Sequence, residues 1–166
     1  MDFIQTYQVD PNLCDILLGR LTVSDDLKTP SSLEVEIEEL NPIMMDISAQ
    51  FFSKIEEFNY FGLPGTQTYT IKNTLFNYIP PWNFIQWASM ESGKYLNFYI
   101  CLKDSKTYIE IFNPFIRKTV RFKCKQGLCI VFISTWLFVE RFTNTFEGNS
   151  IFISGGIDVD DLDDKH

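Results

Sequence analysis

Imidazole is almost absent from this chain: of 166 residues one is histidine, and it is the last, His166. That excludes an ordinary Ser-His-Asp arrangement. It also removes the commonest nitrogen ligand for transition metals. Basic charge is scarce as well. Fourteen Lys and Arg face 22 Asp and Glu, a formal net charge of −8. Binding to nucleic acid is not expected of such a chain, because phosphate neutralisation needs clustered cations. No apolar run approaches the ~20 residues that cross a bilayer, so no membrane partner is expected. Asp2 and Gln5 stand where a secretory leader carries basic residues. The expectation is a soluble, cytoplasmic chain made in a reducing compartment. Cys14, Cys101, Cys124 and Cys129 then read as reduced core or strand thiols. Four residues separate Cys124 from Cys129, but a zinc site would need two further soft ligands, and none is expected here.

Aromatic residues are abundant. They make up 16% of the chain, with 16 Phe, a load that favours half-buried strands over a helical bundle. Residues 3–9 read as extended. Asp10-Pro11 pairs a capping carboxylate with a proline at the first helical position, and Leu13, Ile16, Leu17 and Leu21 follow at helical spacing. Residues 22–33 are polar and read as a loop. Asn41-Pro42 repeats the start signal, and Ile43, Ile47, Phe51 and Ile55 then lie four apart, with Met44, Phe52 and Phe58 widening the face.

From Thr66 the period changes to that of strands, first in Tyr69–Leu75. Tyr95–Leu102 is an apolar run, Lys103–Lys106 a hairpin turn and Thr107–Phe112 the returning strand. Asn113-Pro114 and Gln126-Gly127 are turns around the basic segment Thr119–Lys123. Leu128–Ile133 is the most hydrophobic strand, and Asn149–Ser154 the last strong one. This predicts one domain over residues 1–157, with residues 158–166 as a disordered acidic tail. The fold class is mostly β (α+β): a double-stranded β-helix, or jelly roll, of about seven strands braced by two N-terminal helices.

The stretch from Thr119 through Gly127 and Phe132 to Trp136 resembles the Fe(II)/2-oxoglutarate-dependent dioxygenases of the prolyl-4-hydroxylase-like type found in phages and bacteria. There too a basic strand, a Gly turn, an apolar strand and a tryptophan follow one another. Ile151–Gly155 is similar to that family's closing strand. Asn73–Trp87 is similar to the strand and loop before its His-x-Asp/Glu motif, Tyr95–Pro114 to the hairpin after it, and Asp10–Asp15 to its N-terminal helix. The resemblance implies two histidines and a carboxylate on Fe(II), with a basic residue for the distal carboxylate of 2-oxoglutarate. At those positions stand Ala88 and Met90 for the first motif, Phe138 or Glu140 for the second histidine, and Ser150 (or Asn149) for the cation. Neither Fe(II) nor 2-oxoglutarate is therefore expected as a cofactor. Glu91, Glu140 and Arg141 are the residual pocket candidates. Without imidazole, Glu91 and Glu140 would suit at best Mg or Ca, and weakly.

Other constellations are weaker. Ser134-Thr135 and Ser154-Gly155-Gly156 suggest a bent strand end rather than a nucleophile or phosphate loop. The aromatic loop Pro80–Trp87, with Trp82, Phe84 and Trp87, reads as packing over the old pocket or as a partner contact. Arg117, Lys118, Arg121, Lys123 and Lys125 read as a solvated strand face, with a weak acidic contact as the other option. The resulting expectation is a non-catalytic, dioxygenase-like protein that binds a protein partner or self-associates. Its nearest-looking relatives make it phage-encoded, in the host cytoplasm or the virion: an assembly component or a binder of a host protein. The alternative is a divergent 2-oxoglutarate-type oxygenase, or another metal-dependent enzyme, in a rebuilt pocket.

Overall fold

The computed structural model describes residues 4–20, 31–56, 67–80, 83–88, 96–113, 116–133, 139–144 and 148–161. Along the chain these form β1 (Ile4–Gln8), α1 (Pro11–Arg20), β2 (Ser31–Glu34), α2 (Leu40–Glu56), β3 (Gln67–Ile79), β4 (Asn83–Ala88), β5 (Leu96–Cys101), β6 (Tyr108–Asn113), β7 (Lys118–Lys123), β8 (Leu128–Ile133), β9 (Val139–Asn144) and β10 (Ser150–Asp161).

The pairing of the last eight strands is nested. β3 pairs with β10, β4 with β9, β5 with β8 and β6 with β7, all antiparallel. A long hairpin has in effect been wound on itself, so that successive strands fall in two sheets. One sheet runs β1-β8-β5-β10-β3-β2 and the other β4-β9-β6-β7. This is the double-stranded β-helix, or jelly roll, that the sequence predicts.

Two apolar clusters follow from strand alternation. On β5, Leu96, Phe98 and Ile100 join the cluster under the helices, whereas Tyr99 and Cys101 join the one between the sheets. On β10, Ile151 and Ile153 go one way and Phe152 the other. The helices brace one face of the larger sheet, as expected. Cys14 and Leu17 of α1, and Leu40, Met44, Ile47 and Phe51 of α2, are the buried contributors. The expected face of α2 holds: Ile47 and Phe51 are buried, as are Met44 and Phe52 that widen it, and Ile43 is half-buried.

Helix α1 starts as predicted: the Asn12 N–H donates to Asp10 Oδ1 at 2.9 Å. Helix α2 begins one residue before the expected Asn41, at Leu40. Pro42 still lies in the first turn, where no intrahelical N–H is required. At its mouth, Arg20 donates to both carboxylate oxygens of Glu39, at 2.6 and 2.9 Å. The hydrogen bonds from Arg20, and then that from its own backbone, hold Glu39 down to about 2. The pair also sets a cation at the end of α1 beside an anion at the start of α2, as both helix dipoles favour.

Several expectations are corrected. Among the described residues eight strands, against the expected seven or so, follow the helices, and β1 and β2 precede α2. Residues 31–34, read as loop, form β2 at the sheet edge. Residues 83–88, read as an aromatic loop, form β4, with Phe84 opposite Thr143; Trp82 lies outside the described residues. Residues 103–106 are not a hairpin turn, because β5 and β6 lie in different sheets. The acidic tail does not begin at Asp158. β10 runs on to Asp161, with Asp158 8% exposed and paired with Lys72. Burial and a cation turn the first of those aspartates into a sheet residue. Residues 162–166 lie outside the described residues. All four cysteines are buried and free. No helix among the described residues is long and apolar enough to cross a membrane.

The wrap bends where β10 carries Gly155-Gly156, at an irregularity in its register with β3. A Cβ on Gly155 would stand 2.6 and 2.7 Å from ring atoms of Phe98. Gly155→Ala should therefore lower the unfolding free energy by about 1–3 kcal/mol, the usual cost of overpacking. Gly148→Ala, with nothing within 4 Å, should stay within about 0.5 kcal/mol. Urea denaturation of the two variants measures both, and equal midpoints would contradict this account of the bend.

Candidate functional site

The space between the sheets is where a barrel of this kind holds a ligand. Here it is filled from four strands. Tyr99 of β5 stacks on Phe132 of β8, with centroids 5.7 Å apart and planes 28° apart. It meets Phe152 of β10 edge-on at 5.9 Å. Ile109 and Ile111 of β6 close the other side, and none of these five side chains exceeds 2% exposure. Burying each such side chain contributes about 1.5–3 kcal/mol.

The positions singled out by sequence are brought together in part. Ala88 at the end of β4 lies opposite Glu140 of β9, and Glu140 lies opposite Ile111 of β6. Two of the positions singled out are thus neighbours across one ladder. Arg141 lies opposite Glu110. Glu110 is 5% exposed, and Arg121 pairs with it at 3.3 Å while lying over the Tyr108 ring at 4.0 Å from its centroid. Phe84 and Trp87 are β4 residues. Met90, Glu91 and Phe138 lie outside the described residues.

Ser150 opens β10 opposite Ile79 and is 1% exposed. It accepts a hydrogen bond from Ser105 at 3.2 Å. Hydrogen bonds from Cys101, and then from Ser105 and Ser150, outweigh burial and hold the Cys124 thiol below its ordinary value. Cys101, donating to that sulfur and itself buried, is pushed well above its own. Thr107 sits at the same end of the barrel, its N–H facing Ser105 Oγ at 3.3 Å. Its own hydroxyl is buried and without a partner. The end of the barrel around Ser150 is therefore a cluster of hydroxyls and thiols. Lys103, close by in the chain, donates instead to Asn149 Oδ1. Sequence reading missed this cluster, because its members are spread from residue 101 to 150 and only the crossing between sheets gathers them.

These residues do not fit an iron and oxoacid site. Alanine and serine supply neither a ligand nor a counter-charge, and Glu140 alone is one oxygen donor where three ligands are needed. Among the described residues, no group of three or more His, Cys, Asp or Glu could hold a metal ion.

The fold defines a class: the prolyl-4-hydroxylase-like double-stranded β-helix. Similar solved structures bear this out. A Pseudomonas putida prolyl-4-hydroxylase matches with a TM-score of 0.60 at 10% identity, over 91% of this chain and 89% of that one. The viral collagen prolyl hydroxylase of Paramecium Bursaria Chlorella virus-1, in its 2-oxoglutarate complex, matches at 0.62 and 11%, over 94% and 95%. A Trichoplax adhaerens prolyl hydroxylase, in complex with a peptide fragment of the hypoxia inducible factor oxygen degradation domain, matches at 0.55 and 7%, over 95% and 83%. At such identities the likeness is one of fold. No protein-family model matches the sequence, and no curated protein matches it.

Two substitutions test the polar end of the barrel. Thr107→Val removes a buried hydroxyl that has no partner and should raise stability by about 1 kcal/mol. A loss of stability would reveal a hydrogen bond there. Ser150→Lys should cost about 3–5 kcal/mol by burying a charge without an anion. Added 2-oxoglutarate should not restore that loss in urea denaturation, whereas restoration would mean that the barrel still admits the oxoacid.

Proposed function

We propose that this chain is a non-catalytic protein of prolyl-hydroxylase-like fold, a pseudoenzyme acting as an interaction or structural module. The observation that supports this reading is the packing between the sheets among the described residues: Tyr99 packs on Phe132 and Phe152, and Ser150, which the resemblance sets at the cation's position, is a buried serine. The chain's one histidine, at its last position, supports it from the side of composition. A β scaffold that needs no cofactor to fill its centre is free to use its edges for contact. The Trichoplax neighbour holds a peptide, and a protein-sized partner is the kind this reading gives the present chain. Its setting is the cytoplasm, of a phage host on the resemblance described above, or a virion.

The test is direct. Protein purified anaerobically with Fe(II) is assayed for bound metal, and its melting is followed with and without 2-oxoglutarate. A ligand at a hundredfold its Kd adds about 2.7 kcal/mol, on the order of 5–10 °C for a chain of this size. The expected result is iron well below one equivalent and a shift under ~1 °C, far short of that linkage value. Stoichiometric iron together with a shift of that order would instead establish a divergent oxygenase, with Glu140 as its first candidate ligand.

A further inference from the structure

Two short segments of this chain carry one pattern with opposite sign. Residues 34–38 read Glu-Val-Glu-Ile-Glu, and residues 121–125 read Arg-Phe-Lys-Cys-Lys. In both, the three charged residues are exposed and the apolar ones between them are buried or half-buried. In extended chain, alternate residues recur on one face about every 6.5–7 Å. Each segment is thus a comb of three like charges, and the two combs share a pitch along their extended parts, with Glu38 at the turn that leads into α2.

Both combs lie on terminal strands. β2 ends the six-stranded sheet and β7 ends the four-stranded one. The acidic comb continues β2 along β3, where the Val35 N–H donates to Thr74 O at 3.0 Å. The basic comb continues β7 along β6, where the Cys124 N–H donates to Thr107 O at 3.0 Å. A terminal strand offers a row of backbone donors and acceptors to another chain, and lysines on it commonly discourage that pairing. They discourage it against a like edge. Against carboxylates at the same pitch the sign reverses, because opposite charges facing across strands attract.

Among the described residues, only Arg121 of the six charges is paired within the chain, with Glu110. The ion pairs among the described residues are Arg20–Glu39, Lys72–Asp158 and Arg121–Glu110, which leaves Glu34, Glu36, Glu38, Lys123 and Lys125 outside them. The acidic comb also borders a groove of about 620 Å³ whose floor includes Ile37 and Ile71. A mostly polar groove with a carboxylate rim and a small apolar patch suits the charged heads of Lys and Arg, with room for part of their stems. Each edge further carries one exposed large apolar residue, Leu33 at 58% beside the acidic comb and Ile116 at 50% before β7.

We propose that this chain associates head to tail with a second copy, the 34–38 edge of one molecule seated against the 121–125 edge of the next. Antiparallel pairing sets Glu34, Glu36 and Glu38 opposite Lys125, Lys123 and Arg121. The two surfaces differ, so the contact is heterologous and leaves one comb open at each end of a pair. It builds open chains rather than closed dimers. This rests on the interaction reading above, to which it gives a partner, and does not require the chain to be inactive.

Sedimentation velocity of the full chain over a range of concentrations tests it, at about 0.1 M and about 1 M salt, where the screening length falls from ~10 to ~3 Å. The mean mass should rise with concentration at the lower salt and stay monomeric at the higher. The exposed double variants Glu36→Lys/Glu38→Lys and Lys123→Glu/Lys125→Glu should each be monomeric, with unchanged circular dichroism. Their equimolar mixture should form pairs again, because the intact 121–125 edge of the first variant then meets the intact 34–38 edge of the second. A monomeric wild type at the lower salt, association that survives the higher salt, or reversed variants that associate like wild type would each overturn the proposal. A monomer that also ignores iron and oxoacid sinks this inference alone and leaves the non-catalytic reading standing.

Discussion

The central strands of the larger sheet are buried on both faces, and the rest of the structure depends on that constraint. All six residues of β5, and Ser150 through Asp158 of β10 as far as burial is described, are inside the protein. One face meets α1 and α2 and the other meets the second sheet. Such strands must be apolar throughout, as in sheets covered on both sides. Polar residues survive there only where they are bonded: Asn77 accepts from Ser32 at 2.7 Å and donates to Ser154 at 2.8 Å. Close approach of the layers also explains Gly155, whose missing side chain leaves room for the Phe98 ring.

The same constraint bears on the interior. A catalytic barrel keeps charge between its sheets, and that charge is tolerable because metal, oxoacid and side chains neutralise one another. Remove one member and the remaining buried charge costs several kcal/mol. On the non-catalytic reading, a cation at position 150 would face the hydroxyls of Ser105 and Thr107 and the thiol of Cys124, with no anion among them. A serine there is the stable choice. The terms are coupled, which gives a physical reason for Ala88 and Ser150 to stand together in one chain.

The sequence exposes the parts of this fold that rest on local chemistry. The Asp10-Pro11 start and the Gly127 turn, where φ is +86°, are both dictated by single residues. Strands with two buried faces are legible as apolar runs. What is hidden are strands whose burial comes from partners distant in sequence. β9, Val-Glu-Arg-Phe-Thr-Asn, carries two adjacent charges and no clean alternation, and becomes a strand because β4 and β6 flank it. The acidic end of β10 looks like a solvated run until Lys72 comes beside Asp158. In the candidate site, Ala88 and Glu140 are legible as positions, but their sharing of one ladder is a product of topology. The cluster of Ser105, Thr107, Cys124 and Ser150 leaves no trace in spacing at all.

The charge of the chain bears differently on its surface. With a net charge of −8, two copies repel at long range, and that repulsion fades beyond a screening length of ~10 Å at 0.1 M salt. Charges in contact are screened far less. Attraction between matched edges can therefore survive at a salt concentration where the global repulsion has largely gone, and it fails only when screening reaches contact distances. Five of the 14 basic residues lie between positions 117 and 125. A chain that needed only solubility would gain nothing from gathering its scarce cations on one terminal strand, since dispersed charge repels neighbours equally well. Gathering them makes that edge locally positive in a negative molecule, and the alternating carboxylates at 34–38 are the surface in the same chain that matches it in pitch and opposes it in sign.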